Sequence, residues 1–473
     1  MKFKNTLILL VTMLLSIGAF AQFNGIADTF PSLVGDNTIV RQWKNNKHLL
    51  YTEEPNLNEK FVLIDDTPLT PTAKAVALKK QYKIKDFAVR EDSVFFIGTY
   101  KNKGFWGYFD INNVFTNGDN ITYFLTNEFS TSFGGPHGDD WGYYFTNFDE
   151  LQIIPLPGAT ELLLTGFKRD ETYAGGIMIN FSDTPCLFHV KPPYTSFDYA
   201  YNASGSEKFD DIALNGNDIV VVGRENYTAT DSANILFRVF TASNFDFTAT
   251  ISKEQIRQSQ TPSMSKVLIE SVGSISGNNF AVAHYGNRSP DQGLFVELYS
   301  LNTPNTPYLI RKHYSFIPQG YPLASGCTLK KAAYCPISKT FCVLQDMMVP
   351  QLFNLYSTIC RFEFANYPIT VSCTTSHKTN YGTNVNSVAN GVNSVYDYIL
   401  SSGKLSAKAL FTRENASFQS SCFFHEPISL ILDNNPRELL NTYMMLTVSS
   451  YSAARSTLAA TPASINCALN CAN

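Results

Sequence analysis

The residues best equipped for chemistry fall in one stretch, Ser132 to Tyr144, SFGGPHGDDWGYY, which sets His137, the adjacent carboxylates Asp139 and Asp140, and Trp141 among four glycines. Glycines let a backbone turn tightly, so such a loop can present all four groups at once. An indole and two carboxylates suit a sugar, whose ring stacks on Trp141 while Asp139 and Asp140 accept hydrogen bonds from its hydroxyls. The same oxygens suit calcium, which takes oxygen ligands. His137, Asp139, Asp140 and Trp141 are therefore the expected ligand-binding residues; no cofactor is expected, with calcium on those oxygens as the alternative. The competing reading is a solvated connection whose glycines serve turns and whose Trp141 packs inward.

Other catalytic signatures are missing. There is no Gly-x-Ser-x-Gly and no phosphate-cradling glycine loop followed by Lys-Ser or Lys-Thr. His189, His284, His377 and His425 stand in dissimilar contexts without metal-ligand spacing. Glycoside hydrolysis needs two carboxyls facing each other across about 5–10 Å, and Asp139, Asp140, Asp149, Glu150, Asp210 and Asp211 supply acids that spacing alone does not pair. The reading leans away from an enzyme, with catalytic residues unassigned and no metal centre expected.

The elements that must position such groups are short strands. Ile84 to Ile111 reads as three of them, IKDFAVR, SVFFIGTY and GFWGYFDI, joined by the turns EDS and KNK. The layout recurs from Asp36, near Phe148, at Phe209, at ESVGSIS and at LKKAAYC, with a seventh, looser set expected between Asn393 and Val448. Asp86 precedes Gly98 by twelve residues and Asp211 precedes Gly223 by the same twelve. A shared spacing across strand, turn and strand means a shared register, because a slip of one residue would reverse every side chain. Asp86, Gly98, Asp211 and Gly223 are thus expected to be structural repeat positions.

Runs such as SVFFIG, LLLTGF and IVVVGR are apolar on both faces, as strands covered on both sides must be. The repeats resemble those of secreted bacterial β-propeller proteins in general, over roughly residues 36–448. Ser289-Pro-Asp-Gln-Gly293 is similar to the opening of the Asp-box of sialidase-like propellers, although Leu294 and Phe295 follow it and the motif occurs once. The Trp-Asp of WD40 repeats and the double glycine of kelch repeats do not recur. The resemblance implies an all-β, seven-bladed β-propeller, with six blades or two β-sandwich domains as alternatives, and TYMMLTVSS is the expected ring-closing or last strand.

At 473 residues, 44% apolar, 14% aromatic and 16% charged, the chain can bury a large strand-rich core. A net charge of -4 gives no footprint for nucleic acid. Lys2 and Lys4, an apolar run from Thr6 to Ile17, and the small residues around Ala21 read as a signal peptide cut after that alanine. The expected organisation is a signal peptide over 1–21, a lead-in over 22–35, the propeller over 36–450 and a cysteine-containing tail over 451–473. The mature chain has no expected transmembrane segment, and its expected place is the periplasm, the cell surface or the medium. All nine cysteines follow the cut, and export permits disulfides, with Cys335 and Cys342 flanking the turn of CPISKTFC as one potential pair. The expected function is a non-catalytic recognition or scaffold module that binds a glycan or protein through loops on one face. A carbohydrate-active enzyme using carboxylates near the central channel is the alternative.

Overall fold

Short apolar strands separated by tight turns have one economical arrangement, the antiparallel meander, since two-residue turns join only antiparallel neighbours. The computed structural model is accordingly all-β, with 80% strand and 3% helix. It describes residues 25–472 apart from several connections, the longest being 258–265, 319–327 and 416–423. The expected signal peptide lies outside the described residues. Among those described, no helix is long and apolar enough to cross a membrane.

Seven meanders follow one another along the chain. Their first strands are Asn37–Lys44, Tyr82–Arg90, Asp140–Leu156, Glu207–Asn215, Leu268–Ser271, Thr328–Cys335 and Val385–Val392. Each of the first six meanders supplies its own four strands. The seventh has three of its own, ending at Lys408–Asn415, and borrows its fourth from the N-terminus: Gly25–Phe30 pairs with that strand from Gly25 opposite Glu414 to Phe30 opposite Ala409. The segment expected to be a lead-in is therefore a sheet strand, and the seventh set begins at Val385 rather than after Asn393.

The first strands touch one another in cyclic order, and the last returns to the first. Seven apolar clusters lie between successive meanders. Phe95, Ile97 and Trp106 of the second, for example, pack on Phe148, Leu162 and Leu164 of the third. The closing cluster joins Val40, Leu50 and Val62 of the first to Leu400 and Phe411 of the seventh. The inner strands of each sheet are thus buried on both faces, which is why they read as apolar runs rather than alternating ones.

The recurrent glycine has a steric cause. In the second meander the register slips between Ile84 and Asp86, leaving Lys85 unpaired in a bulge, and Ile84 faces Gly98. The same slip occurs between Phe209 and Asp211 opposite Gly223, and between Phe148 and Glu150 opposite Gly166. At each bulge a carbonyl leans over the opposing residue: a Cβ would lie 2.1 Å from Lys83 O at Gly98, 2.1 Å from Lys208 O at Gly223 and 2.0 Å from Asn147 O at Gly166. Gly98→Ala must push a backbone carbonyl away and should cost at least about 1–3 kcal/mol, as overpacking does. Urea denaturation measures this, and an unchanged midpoint would refute the steric account.

The C-terminal segment does not form a separate tail. Phe424–Ile428 adds an outer strand to the sixth meander, Leu430–Asp433 to the fifth and Leu440–Thr442 to the fourth. Thr447–Leu458 then pairs its first half with Ser196–Tyr201 of the third meander and its second half with Ile121–Thr126 of the second. This one strand fuses two meanders into a ten-stranded sheet, so seven meanders give six hydrogen-bonded sheets. Pro462–Ile465 continues onto the first meander, and Ala468–Ala472 onto Gly25–Phe30. The segment is a strap that visits every meander in reverse order. Of TYMMLTVSS, Thr442 ends the outer strand Leu440–Thr442 and Thr447 to Ser450 open the outer strand Thr447–Leu458, and most of the described residues after 450 are sheet edge.

Cys335 and Cys342 do not form the expected disulfide. Both are buried and outside any disulfide, as are Cys186 and Cys360. Cys335 faces Thr340 and Cys342 faces Ala333, so the two sulfurs are diagonal rather than opposite. The hydrogen bond with Cys342, reinforced by burial, pushes the Cys335 thiol well above its usual range, which suppresses the thiolate that oxidation requires.

Candidate functional site

The first strands carry a second repeated feature, visible once the bulges are located. Four bulges have the pattern apolar, charged, charged, apolar: Ile84-Lys-Asp-Phe87, Phe148-Asp-Glu-Leu151, Phe209-Asp-Asp-Ile212 and Leu329-Lys-Lys-Ala332. A bulge sets two residues against one, so the second charged residue regains the pleat and is aimed with its strand's next apolar neighbours. Asp86, Glu150, Asp211 and Lys331 are those second residues, and all four line one cavity of about 270 Å³. Arg41, Glu270 and Asn390 complete its wall, so every first strand contributes.

Most of these charges are paired in a chain. Arg41 Nη2 lies 2.7 Å from Asp86 Oδ1, and Lys331 Nζ lies 3.3 Å from Asp86 Oδ2. Lys331 also holds Glu150, whose other oxygen takes Lys266. The Leu151 amide of the next meander donates to Asp86 Oδ2 at 3.2 Å, while Phe87 N donates to Oδ1 at 2.9 Å. Asp211 repeats this arrangement, accepting from Ile212 N at 2.9 Å and from Ile269 N of the following meander at 3.0 Å. Both aspartates therefore staple one meander to the next as well as facing the cavity. The bulged Asp210 does similar work sideways, with Arg224 at 2.6 Å and Val267 N at 3.1 Å.

The charge states differ across the cavity. Burial would raise the Asp86 carboxyl, but Lys331 and Arg41 beside it hold it below its usual range. Asp211 is pushed up to about 7 by burial and by Glu150, against the opposing pull of Lys266 and Lys331. Glu270 rises to about 8, chiefly through burial and then through Asp211. Among the described residues no hydrogen bond or ion pair reaches the Glu270 carboxyl, in contrast to Asp86 and Glu150. At neutral pH Glu270 is mostly a neutral acid, able to donate one hydrogen bond and accept others.

The loop expected to bind ligand is the tip of a hairpin. Asp140 and Trp141 open their strand opposite Phe133 and Ser132, while His137 and Asp139 lie outside the described residues. Among described residues no group of three or more His, Cys, Asp or Glu could hold a metal ion. Ser289 and Pro290 of the Asp-box-like motif also fall outside, and Gly293 pairs with Gly286 across that hairpin. Of the residues singled out from the sequence, Asp86, Glu150 and Asp211 reach the cavity. Arg41, Glu270 and Lys331 were missed, although the repeated charged doublet was a signal for Lys331. Comparison with protein-family models and with curated proteins finds no match for the chain.

Proposed function

We propose that the seven meanders are the blades of a β-propeller and that the chain, once exported, is a non-catalytic recognition module that seats a small polar ligand, of the size of a single sugar residue, in the central cavity. The observation that carries this reading is the convergence of a polar or charged side chain from every first strand on one cavity. Cyclic contact among those strands and an apolar cluster between each successive pair support the propeller. Ligand sites in ring architectures favour such central concave surfaces.

Binding is favoured over turnover because the acids are largely spent. A glycosidase needs one ionised and one protonated carboxyl, both free to face the glycosidic bond. Asp86 and Glu150 are tied to cations, and both oxygens of Asp211 accept backbone amides. The test is ligand-observed NMR with a monosaccharide and disaccharide panel, run beside a hydrolase assay on the same sugars. Glu270→Ala should abolish binding, and neither protein should release product. Sugar binding that survives this change but disappears when Asp139, Asp140 and Trp141 are all changed to Ala would move the site to the hairpin tip. Product release lost in Glu270→Gln would establish the enzyme alternative.

A further inference from the structure

We propose that the ligand seated in this cavity is a small organic cation, a molecule bearing a primary ammonium that pairs with Glu270 and lies beside Asp211. The inference rests on the cavity being the ligand seat and names the chemistry it selects. Three cations, Arg41, Lys331 and Lys266, share the two carboxylates of Asp86 and Glu150 through four contacts. That chain carries a surplus of one positive charge when all five groups are ionised. Asp211 and Glu270 face it with two potential negative charges, so the full set is one positive charge short of neutral.

The shortfall is local. Asp211 is held by backbone amides and by no ion pair among the described residues, and the Glu270 carboxyl has neither. An incoming anion would meet these two acids, and the cations that could bind it are already engaged. A neutral sugar could hydrogen-bond to Glu270 but would leave the charge deficit in place. An ammonium completes the count and offers three donors to the oxygens available. The volume, about 270 Å³, lies just below the usual ~300 Å³ lower bound for drug-sized sites, which restricts the ligand to a small molecule.

In the empty protein a proton takes the place of the missing charge, since Glu270 holds its proton to about 8 and Asp211 to about 7. The charged groups around Glu270 act in both directions: Asp211 and Asp86 favour the protonated form, while Arg41 and Lys331 oppose it. Lys266 and Glu150 act one step further away, through Asp211. A bound ammonium must displace the Glu270 proton, so association should release close to one proton at pH 7. For n-butylammonium, whose own amine stays protonated throughout, affinity should climb about tenfold per pH unit between 7 and 8, more steeply below 7 where Asp211 also takes up a proton, and level off above 8.

Isothermal titration with n-butylammonium and galactosamine as cationic probes, and with n-butanol, galactose and acetate as matched controls, tests the assignment. The expected result is at least tenfold tighter binding of both amines than of their neutral counterparts, with proton release read from two buffers of different ionisation enthalpy. Glu270→Gln should remove both the preference and the proton release, and a circular dichroism melt checks that the variant is folded. Should that variant not fold, the wild-type proton count and pH profile still decide the matter. Galactose binding as tightly as galactosamine overturns the cation assignment and leaves the cavity as a ligand seat. Acetate binding best overturns it as well, and no binding by any probe overturns both.

Discussion

Ending the chain at residue 423 should leave no folded monomer. The strap removed by this truncation supplies the outermost strand of every meander, from Phe424–Ile428 on the sixth round to Ala468–Ala472 beside the N-terminal strand. Its loss uncovers a row of unpaired backbone groups on each sheet, the kind of edge that pairs with other chains. Apolar anchors leave with it: Leu446 is buried in the cluster between the third and fourth meanders, and Leu458 and Ala460 in that between the first and second. Losing a buried leucine typically costs about 2–5 kcal/mol, so two approach the roughly 5–15 kcal/mol that keeps an ordinary domain folded. The second and third meanders would also lose the strand that joins them. Size-exclusion chromatography with light scattering should show aggregate or expanded chain where the full protein elutes as a compact species. A compact monomer melting at the full-length temperature would show that the strap is ornamental. Adding residues 424–473 as a separate peptide during refolding should restore the compact species, because the pairing does not depend on covalent continuity.

Arg238→Ala should destabilise the protein by about 3–5 kcal/mol, the usual cost of leaving a buried charge without its partner. Arg238 and Glu207 are both about 1% exposed at their side chains. The guanidinium grips the carboxylate with two parallel bonds, Nε to Oε1 at 2.7 Å and Nη2 to Oε2 at 2.5 Å. Asn202 Nδ2 also donates to Oε2, at 3.3 Å, but brings no charge. Without the arginine, Glu207 would sit directly opposite Glu225, itself buried. Like charges directly opposite on neighbouring strands are destabilising. Replacing both members of the pair with methionine should recover most of the loss, since the ion pair's net contribution is small once its desolvation is counted. Urea denaturation of the single and double variants measures both effects. A single variant within 1 kcal/mol of wild type, on the scale expected for an exposed pair, would place this pair in solvent.

The repeat was legible in the sequence because its causes are local. A glycine opposite three of the bulges is forced by a backbone carbonyl about 2 Å from where a Cβ would stand, and in two of them an acidic residue twelve positions earlier marks the bulge itself. Alternation lost from SVFFIG and IVVVGR signalled strands covered on both faces. What was misread follows from the same locality. The strap has little periodicity of its own: Thr447–Leu458 is mostly exposed or half-exposed serine, alanine and threonine, a composition that resembles a flexible tail. Its structure comes from the edges it covers, which belong to residues up to several hundred positions away. The disulfide expectation failed similarly, because Cys335 and Cys342 flank one turn but their register sets them diagonally.

For the site, the sequence determined the residue types and, through the doublets Lys85-Asp86, Asp149-Glu150, Asp210-Asp211 and Lys330-Lys331, the local geometry that turns one charge of each pair back into the pleat. It also supplied the hairpin loop with His137, Asp139, Asp140 and Trp141, the more conspicuous candidate by composition. Only the tertiary structure decided that Arg41, Asp86, Glu150, Asp211, Glu270 and Lys331, spread over some 290 positions from 41 to 331, face one cavity. Strand register fixes where a side chain lies within its own meander. The meeting of seven first strands depends on cyclic closure through apolar contacts between meanders, and pairwise spacing along the chain carries no trace of that. The charge states follow the same division: a carboxyl in isolation titrates near 4, whereas burial and its neighbour across the cavity raise Glu270 to about 8.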